Sequence, residues 1–203
     1  MKTINTIKEA RHQVKVWKKE GYSIALVPTM GSLHAGHASL ISRAAKENEK
    51  VVVSIFVNPI QFAPSEDLDS YPRDLHKDEI ICEGAGADLI FAPKATEMYY
   101  KDIEASVSVK ELAIGLCGAK RPNHFAGVCT VVSKLFNIIP ADKAYFGEKD
   151  AQQLAIIKRM VRDLNFDIEI IGCPIIREKD GLAKSSRNIY LSSKERVAAL
   201  ILN

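Results

Sequence analysis

The chain has 203 residues, 47% of them hydrophobic, with 28 basic and 25 acidic side chains and a formal charge of +3. That length and apolar content fill the core of one good-sized domain, or of one domain and the beginning of another, and exclude a disordered chain. The near balance of charge excludes a polyanion-binding tail, and basic residues that are dispersed rather than striped give no support to RNA binding, so function must reside in a local site.

In chain order, apolar positions Ile4, Ile7, Val14 and Trp17, closed by Gly21, predict an amphipathic helix over residues 3–20. SIALVP at 23–28 reads as a strand, and ASLISRAAKENE at 38–49 as a helix. VVVSIFV at 51–57 is a continuous β-branched run of the kind found in a strand covered on both faces. The pattern continues with a helix over 75–83, a strand over 88–91, an extended segment over 105–109 and a helix over 127–139. It recurs with a strand over 143–147, a helix over 149–164 and a strand over 167–171. Alternation of this kind implies parallel βαβ units, hence an α/β class, Rossmann-like parallel sheet with helices on both faces. Beyond about residue 175 the alternation breaks into a β-turn at Lys179, Asp180 and Gly181 and a last helix. Residues 1–175 therefore read as one domain and 176–203 as the beginning of a small C-terminal α+β domain.

Cys82, Cys117, Cys129 and Cys173 form no C-x-x-C pair and have no histidine at zinc-finger spacing, which reads as buried reduced thiols. The N-terminal segment lacks an apolar core of signal-peptide length, and no stretch approaches the roughly 18 to 20 apolar residues of a membrane span. A cytoplasmic protein with no membrane partner is expected.

In an open α/β sheet, ligands bind beyond the carboxyl ends of strands, where a helix beginning there offers free N–H groups to anions. PTMGSLHAGH, residues 28–37, occupies that place. Gly31 and Gly36 let the backbone come close to a phosphate. His34 and His37, three positions apart, fall on one face of the first helical turn and can donate hydrogen bonds to charge growing on that phosphate. No G-x-G-x-x-G follows a strand and no G-x-x-x-x-G-K-[ST] is present, so dinucleotide and P-loop readings have no support.

TMGSLHAGH resembles the H-x-G-H signature of the nucleotidyltransferase superfamily that includes the class I aminoacyl-tRNA synthetases, in which the motif grips ATP phosphates. SIFVNPIQFAPSEDLDSYPRD, GAKRPNHFAGVCTVVSKLFNI, AYFGEKDAQQLAIIKRMV and REKDGLAKSSRNIYLS follow in order. Together the blocks resemble the pantothenate synthetase, or pantoate–β-alanine ligase, family over nearly the whole chain. The resemblance implies ATP as co-substrate, with Mg²⁺, and pantoate and β-alanine as the other substrates. Pantoate's carboxylate attacks the α-phosphate, giving pantoyl adenylate and pyrophosphate; the amine of β-alanine then attacks the acyl carbon, giving pantothenate and AMP.

Carried over residue by residue, the resemblance places Met30, Gly31, Ser32, Leu33, His34, Ala35, Gly36 and His37 along the ATP site. His34 and His37 would meet the phosphates, with His37 the family's proton donor. Gly147, Glu148, Lys149 and Asp150 would contact the nucleotide at a second strand-to-helix junction, Lys149 reaching phosphate and Asp150 the ribose. Ile176 and Lys184 would add to the ATP site, and Ser185, Ser186 and Arg187 would form its mobile phosphate clamp; Lys184 stands where the family pattern has methionine. His34, His37, Lys149 and Arg187 are the implied catalytic set. Gln61 and Gln153 would hold pantoate through its hydroxyls and carboxylate, assisted by Asn58, and their neutral amides disfavour the alternative of a nucleotidyltransferase acting on a phosphorylated alcohol. Gln61, Arg121 and His124 mark the β-alanine region, Arg121 by pairing with the substrate's carboxylate. The acidic run SEDLDS and Asp78 could help hold Mg²⁺ through ATP, but runs of this kind are usually solvated surface and no metal ligand is assigned. The family's dimeric habit implies a homodimer. Its members continue into a C-terminal lid that excludes water from the adenylate, so a chain of this length is expected to bind ATP and turn over more weakly, or to be a binding-only fragment.

Overall fold

The computed structural model describes residues 1–202. In chain order these form β1 (Lys2–Ile4), α1 (Ile7–Lys19), β2 (Ile24–Thr29), α2 (Ala35–Glu47), β3 (Lys50–Ile55), a 3₁₀ turn (Pro59–Gln61), α3 (Leu75–Ala85) and β4 (Leu89–Phe91). Then come the short α4 (Ala95–Met98) and α5 (Cys117–Lys120), α6 (His124–Ile138), β5 (Lys143–Gly147), α7 (Ala151–Asp163), β6 (Glu169–Cys173), a 3₁₀ turn (Ser186–Tyr190) and α8 (Ser193–Ala199). All strand pairings are parallel, and the sheet is ordered β1-β4-β3-β2-β5-β6.

Side chains alternate across a strand, so each uniformly apolar central strand feeds two cores. Ile24 and Leu26 of β2 pack with Val14 of α1, Val132 of α6 and Ile157 of α7. Ala25 and Val27 pack on the other face with Leu40, Ile41 and Ala44 of α2 and Cys82 of α3. The continuous apolar reading of β2 and β3 follows from this double cover.

The winding direction reverses between β2 and β5: β3 and β4 lie to one side of that pair and β6 to the other. Connections leaving the two strands go to opposite faces, which opens a crevice at their carboxyl ends. TMGSLHAGH leaves β2 into this crevice, and GEKD leaves β5 into it through a 3₁₀ turn, Glu148–Asp150.

Two expectations are corrected. The helix predicted over 3–20 begins at Ile7, because Lys2, Thr3 and Ile4 pair with Leu89, Ile90 and Phe91 as an edge strand and Thr6 caps the helix through Glu9 N at 3.2 Å. The last strand starts two residues later than expected: Asn165, at φ 53°, turns the chain, and register with β5 sets Glu169 opposite Lys143. The segment 105–109 lies outside the sheet, with Val107 N donating to Thr130 Oγ1 at 2.9 Å. Of the four free cysteines, Cys82, Cys129 and Cys173 are buried as expected, whereas Cys117 is exposed. The turn at Lys179 and Asp180 is present, with Gly181 at φ 95° and Arg177 bridging antiparallel to Ala183.

Candidate active site

The crevice is a cleft of about 250 Å³, floored by the ends of β2 and β5 and walled by α6, α7 and the segment from Pro174 to the second 3₁₀ turn. Met30, His34, Gly36, His37, Asn58 and Gln61 line it. So do Gly147, Lys149, Asp150, Gln153, Ile176 and Lys184, together with Ser185, Ser186, Arg187, Arg121 and His124. One cleft thus gathers most of the side chains named from the sequence. Gly31, Ser32, Leu33, Ala35 and Glu148 do not line it, and the first three have a different task.

That task is to hold the turn. Asp78 of α3, 2% exposed, accepts from Ser32 N at 3.0 Å and from Leu33 N at 2.7 Å. Gly31 adopts φ 82°, and a Cβ there would lie 2.9 Å from Asp78 Oδ2, so this position needs glycine for both conformation and space. The Ser32 and Leu33 amides, expected to face nucleotide, therefore face a carboxylate of the chain itself. Asp78, weighed from the sequence as help for Mg²⁺, is a buried anchor whose carboxyl is pushed up by burial and held down in part by those two N–H groups.

The two histidines are built into the helix start rather than displayed on it. His34 is the N-cap of α2: its Nδ1 accepts from Gly36 N at 3.1 Å, while His34 N donates to His37 Nδ1 at 3.3 Å. The ring planes are tilted by 39°, with centroids 4.1 Å apart. A neutral imidazole whose Nδ1 accepts a main-chain N–H carries its proton on Nε2, so both rings offer an Nε2–H donor. Burial, then His34 and Lys149, takes His37 down to about 3; burial, then Lys149 and Lys184, pulls His34 below its ordinary value. In the unliganded chain both rings are neutral hydrogen-bond donors at pH 7. An anion placed between them would raise both values, since it favours the charged ring.

Gln61 is 8% exposed, donating from Nε2 to Met30 Sδ at 3.1 Å and accepting from Asn58 Nδ2 at 3.0 Å. Asn58 is 1% exposed: Nδ2 also donates to Gly127 O at 3.1 Å, and Oδ1 accepts from Tyr99 OH at 2.7 Å. It orients Gln61 with both Nδ2 hydrogens in use, and Oδ1 keeps one lone pair in the cleft lining. A Cβ on Gly127 would meet Gln61 Cα and Ile60 O at 2.6 Å, so this glycine lets α6 touch the 3₁₀ turn that carries Gln61. Gln153 lines the cavity while its neighbour Gln152 turns away to bind Cys117 N, Leu112 O and Gly115 O.

The basic side chains of the cleft are each paired with an acid of the same chain. Arg121 is bidentate to Glu66, with Nη2 to Oε2 at 2.7 Å, and its Nη1 donates to His124 Nε2 at 3.1 Å. His124 Nδ1 in turn donates to Gln61 O at 3.0 Å, which fixes its tautomer opposite to that of His34 and His37. The Arg121 guanidinium holds the Glu66 carboxyl down to about 2. Arg121, expected to be open for a substrate carboxylate, is occupied by Glu66. Arg187 is bidentate to Asp67, Lys184 pairs with Glu178 at 2.8 Å, and Lys149 with Asp150 at 3.1 Å. Asp150 occupies the N-cap position of α7 without a side-chain capping bond.

Sequence reasoning assigned no cleft role to Tyr71, Tyr99 or Gly127, and read Glu66 and Asp67 only within an acidic run weighed between Mg²⁺ and solvated surface. Gly127 left a readable mark, a lone glycine inside a helical pattern, which commonly reports close packing. Glu66 and Asp67 left only an acidic run, and nothing local distinguishes an ion-paired run from a solvated one.

Comparison with known proteins follows the same direction. The family described as pantoate-beta-alanine ligase matches residues 2–203. A pantothenate synthetase of Ruminiclostridium cellulolyticum is 66% identical over 203 residues, covering all of this chain and 72% of its own length, and one of Enterococcus faecalis is 65% identical with the same coverage. Among solved structures, the Thermus thermophilus pantothenate synthetase superposes with a TM-score of 0.94 at 49% identity, covering all of this chain and 72% of that one. The Francisella tularensis pantoate-beta-alanine ligase, solved in complex with a β,γ-ATP ligand and β-alanine, superposes at 0.93 with 40% identity, covering all of this chain and 77% of that one.

Proposed function

The chain belongs to the pantoate–β-alanine ligase family, and from that premise we propose that its cleft condenses pantoate with β-alanine using ATP, through a pantoyl adenylate. The observation that carries this reading is that two kinds of polar group line one cavity. Paired Nε2–H imidazoles at a helix start and Lys149 share it with the neutral amides of Gln61 and Gln153.

A carboxylate is a poor electrophile towards an amine, so the acid must first gain a leaving group. In the first step a pantoate carboxylate oxygen bonds to the α-phosphorus while the bond to the bridging oxygen breaks, and pyrophosphate departs with that electron pair. His34 and His37 would donate hydrogen bonds to phosphate oxygens as their charge shifts, and Lys149 and Arg187 would offset the charge of the leaving group. In the second step the β-alanine nitrogen attacks the acyl carbon, the acyl–oxygen bond breaks towards AMP, and the nitrogen gives up a proton. The glutamines would orient pantoate: each amide both donates and accepts, as a hydroxy acid requires. Mg²⁺ would enter with ATP and offset the charge of its phosphates.

We further read the protein as a homodimer, supported by the exposed apolar side chains of Tyr100, Ile103, Leu112, Ile114 and Leu116 on one stretch of chain. No described helix is long and apolar enough to cross a membrane. A cytoplasmic location is supported by four free cysteines. Residues 176–203, which carry the clamp, would be the part of the chain that moves over the phosphates.

Pyrophosphate release from ATP should require pantoate, and adding β-alanine should bring AMP and pantothenate in equal amounts. Pyrophosphate release indifferent to pantoate would overturn the reading.

A further inference from the structure

Two adjacent carboxylates have no place in the scheme above. Glu66 and Asp67 lie in the loop between the first 3₁₀ turn and α3, and each holds one arginine of the cleft wall. Arg187 reaches Asp67 from 120 positions away in sequence and meets it side-on, Nε donating to Oδ2 at 3.0 Å and Nη2 to Oδ1 at 2.9 Å. Bound by this edge, a guanidinium keeps its opposite fork, one N–H each on Nη1 and Nη2, for another anion. Nη1 of Arg187 has no protein hydrogen-bond partner among the described residues. Arg121 differs: Glu66 takes the same edge, and His124 takes Nη1 as well.

The same loop docks the rest of the clamp. The Tyr71 ring centroid is 5.4 Å from Arg187 Cζ, Tyr71 OH and Ser186 Oγ are 3.3 Å apart, and Tyr190 OH donates to Ser70 O at 3.4 Å. The Asp67 and Arg187 side chains are 25% and 41% exposed. Ion pairs this open contribute little to folding, so the bidentate geometry matters for where it puts the guanidinium.

We propose that Asp67 is a positioning residue for the nucleotide step: it grips one edge of Arg187 and presents the other fork to a phosphate in the cleft. This rests on the functional reading above. A phosphate that takes the free fork joins the ion pair rather than replacing it. Asp67 and ATP therefore cooperate through one guanidinium.

The experiment is Asp67→Asn, with Asp67→Glu as the charge-conserving control, in wild-type and Arg187→Ala backgrounds. Asp67→Asn keeps the size and one acceptor oxygen but loses the charge and the second arm. The KM for ATP should rise about tenfold, the loss of roughly one charge-assisted hydrogen bond, while the KM values for pantoate and β-alanine stay within about twofold. Asp67→Glu should recover part of the loss. In Arg187→Ala, Asp67→Asn should add nothing, since the partner it orients is gone.

Tighter ATP binding in Asp67→Asn would overturn the proposal, because the carboxylate would then compete with phosphate. So would an unchanged KM for ATP, an equal rise in all three KM values, or an effect that persists without Arg187. Calorimetric titration of a non-hydrolysable ATP analogue reads the same coupling without turnover. A wild type that binds the analogue but makes no pantothenate would overturn the functional reading and leave Asp67 to be judged by binding; a wild type that binds no nucleotide would overturn both.

Discussion

The two stretches that would meet phosphate, the turn after β2 and the clamp around Arg187, are held in place by different means. The turn is held by main-chain hydrogen bonds: Asp78 takes two of its amides, and the imidazoles of His34 and His37 are locked by Gly36 N and His34 N. Its donors cannot shift without undoing the end of a central strand. The clamp lies on a five-residue 3₁₀ turn with no buried residue, tied through side chains to the loop at 67–71. Donors fixed in advance need no reorganisation when charge develops, whereas donors held by exchangeable contacts can admit a large substrate and close on it. One half of the site is thus suited to the transition state and the other to binding.

This division is broken most directly by deleting one donor from each half. His37→Ala should lower pantoate-dependent pyrophosphate release at saturating ATP by about 10²–10³-fold, the scale of one lost preorganised donor. Arg187→Ala should act chiefly on the KM for ATP, by about tenfold, with a smaller change in kcat. Steady-state rates of both variants decide the point. If Arg187→Ala lost more kcat than His37→Ala, the fixed and exchangeable halves would be assigned the wrong way round.

The wall that carries Gln61 sharpens the contrast, because there precision comes from packing. Gly127→Ala would put a Cβ 2.6 Å from the main chain at Ile60 and Gln61, so α6 and the 3₁₀ turn must part. Displacing Gln61 by a fraction of an ångström should lower kcat/KM for pantoate on the order of 10–100-fold, with binding of an ATP analogue unchanged. A matching loss of nucleotide affinity would mean that the two walls are not independent.

How much of this was readable before any coordinates depends on how local each signal is. The α/β alternation and the strand–turn–helix placement of TMGSLHAGH follow from periodicity, and the central strands and the strand at Lys143–Gly147 fall where the apolar runs put them. The cleft composition was also legible, since His34, His37, Gln61, Gln153, Lys149 and Arg187 all line one cavity. What was hidden is who holds whom. Nothing in the order of residues says that Asn58 is held by Gly127, Gln61 and Tyr99, that Asp78 closes the turn behind the histidines, or that Glu66 and Asp67 each take an arginine. These are contacts between distant segments, and a polar side chain has the same sequence signature whether its partner is water or protein. The first strand failed for a related reason: three residues make an edge strand only because β4 offers them a register.

The smallest effect tests the fixed half through its protons. His37 is held at about 3 by burial first, then by His34 and Lys149, and His34 is lowered in the same direction by burial, Lys149 and Lys184. An unfolded chain titrates its histidines near 6.5. Between pH 6.5 and 3 the unfolded state therefore binds a proton at residue 37 that the folded state refuses, so stability rises with pH across that window and is lost as acid is added. Glu66, held at about 2 by Arg121, also loses its contribution on acidification, but only from the ordinary carboxylate range downward, so measurements between pH 5.5 and 7 stay clear of it. Urea unfolding in that interval should show the slope, and His37→Asn, whose side-chain oxygen can still accept His34 N–H, should flatten it by at most about 1.4 kcal/mol per pH unit. A saturating ATP analogue should flatten the wild-type slope too, because phosphate favours the charged rings and lets the folded state take up protons. If His37→Asn left the slope untouched, the ring would not be a buried neutral donor, and the assignment of both Nε2–H groups to the phosphate would fall with it.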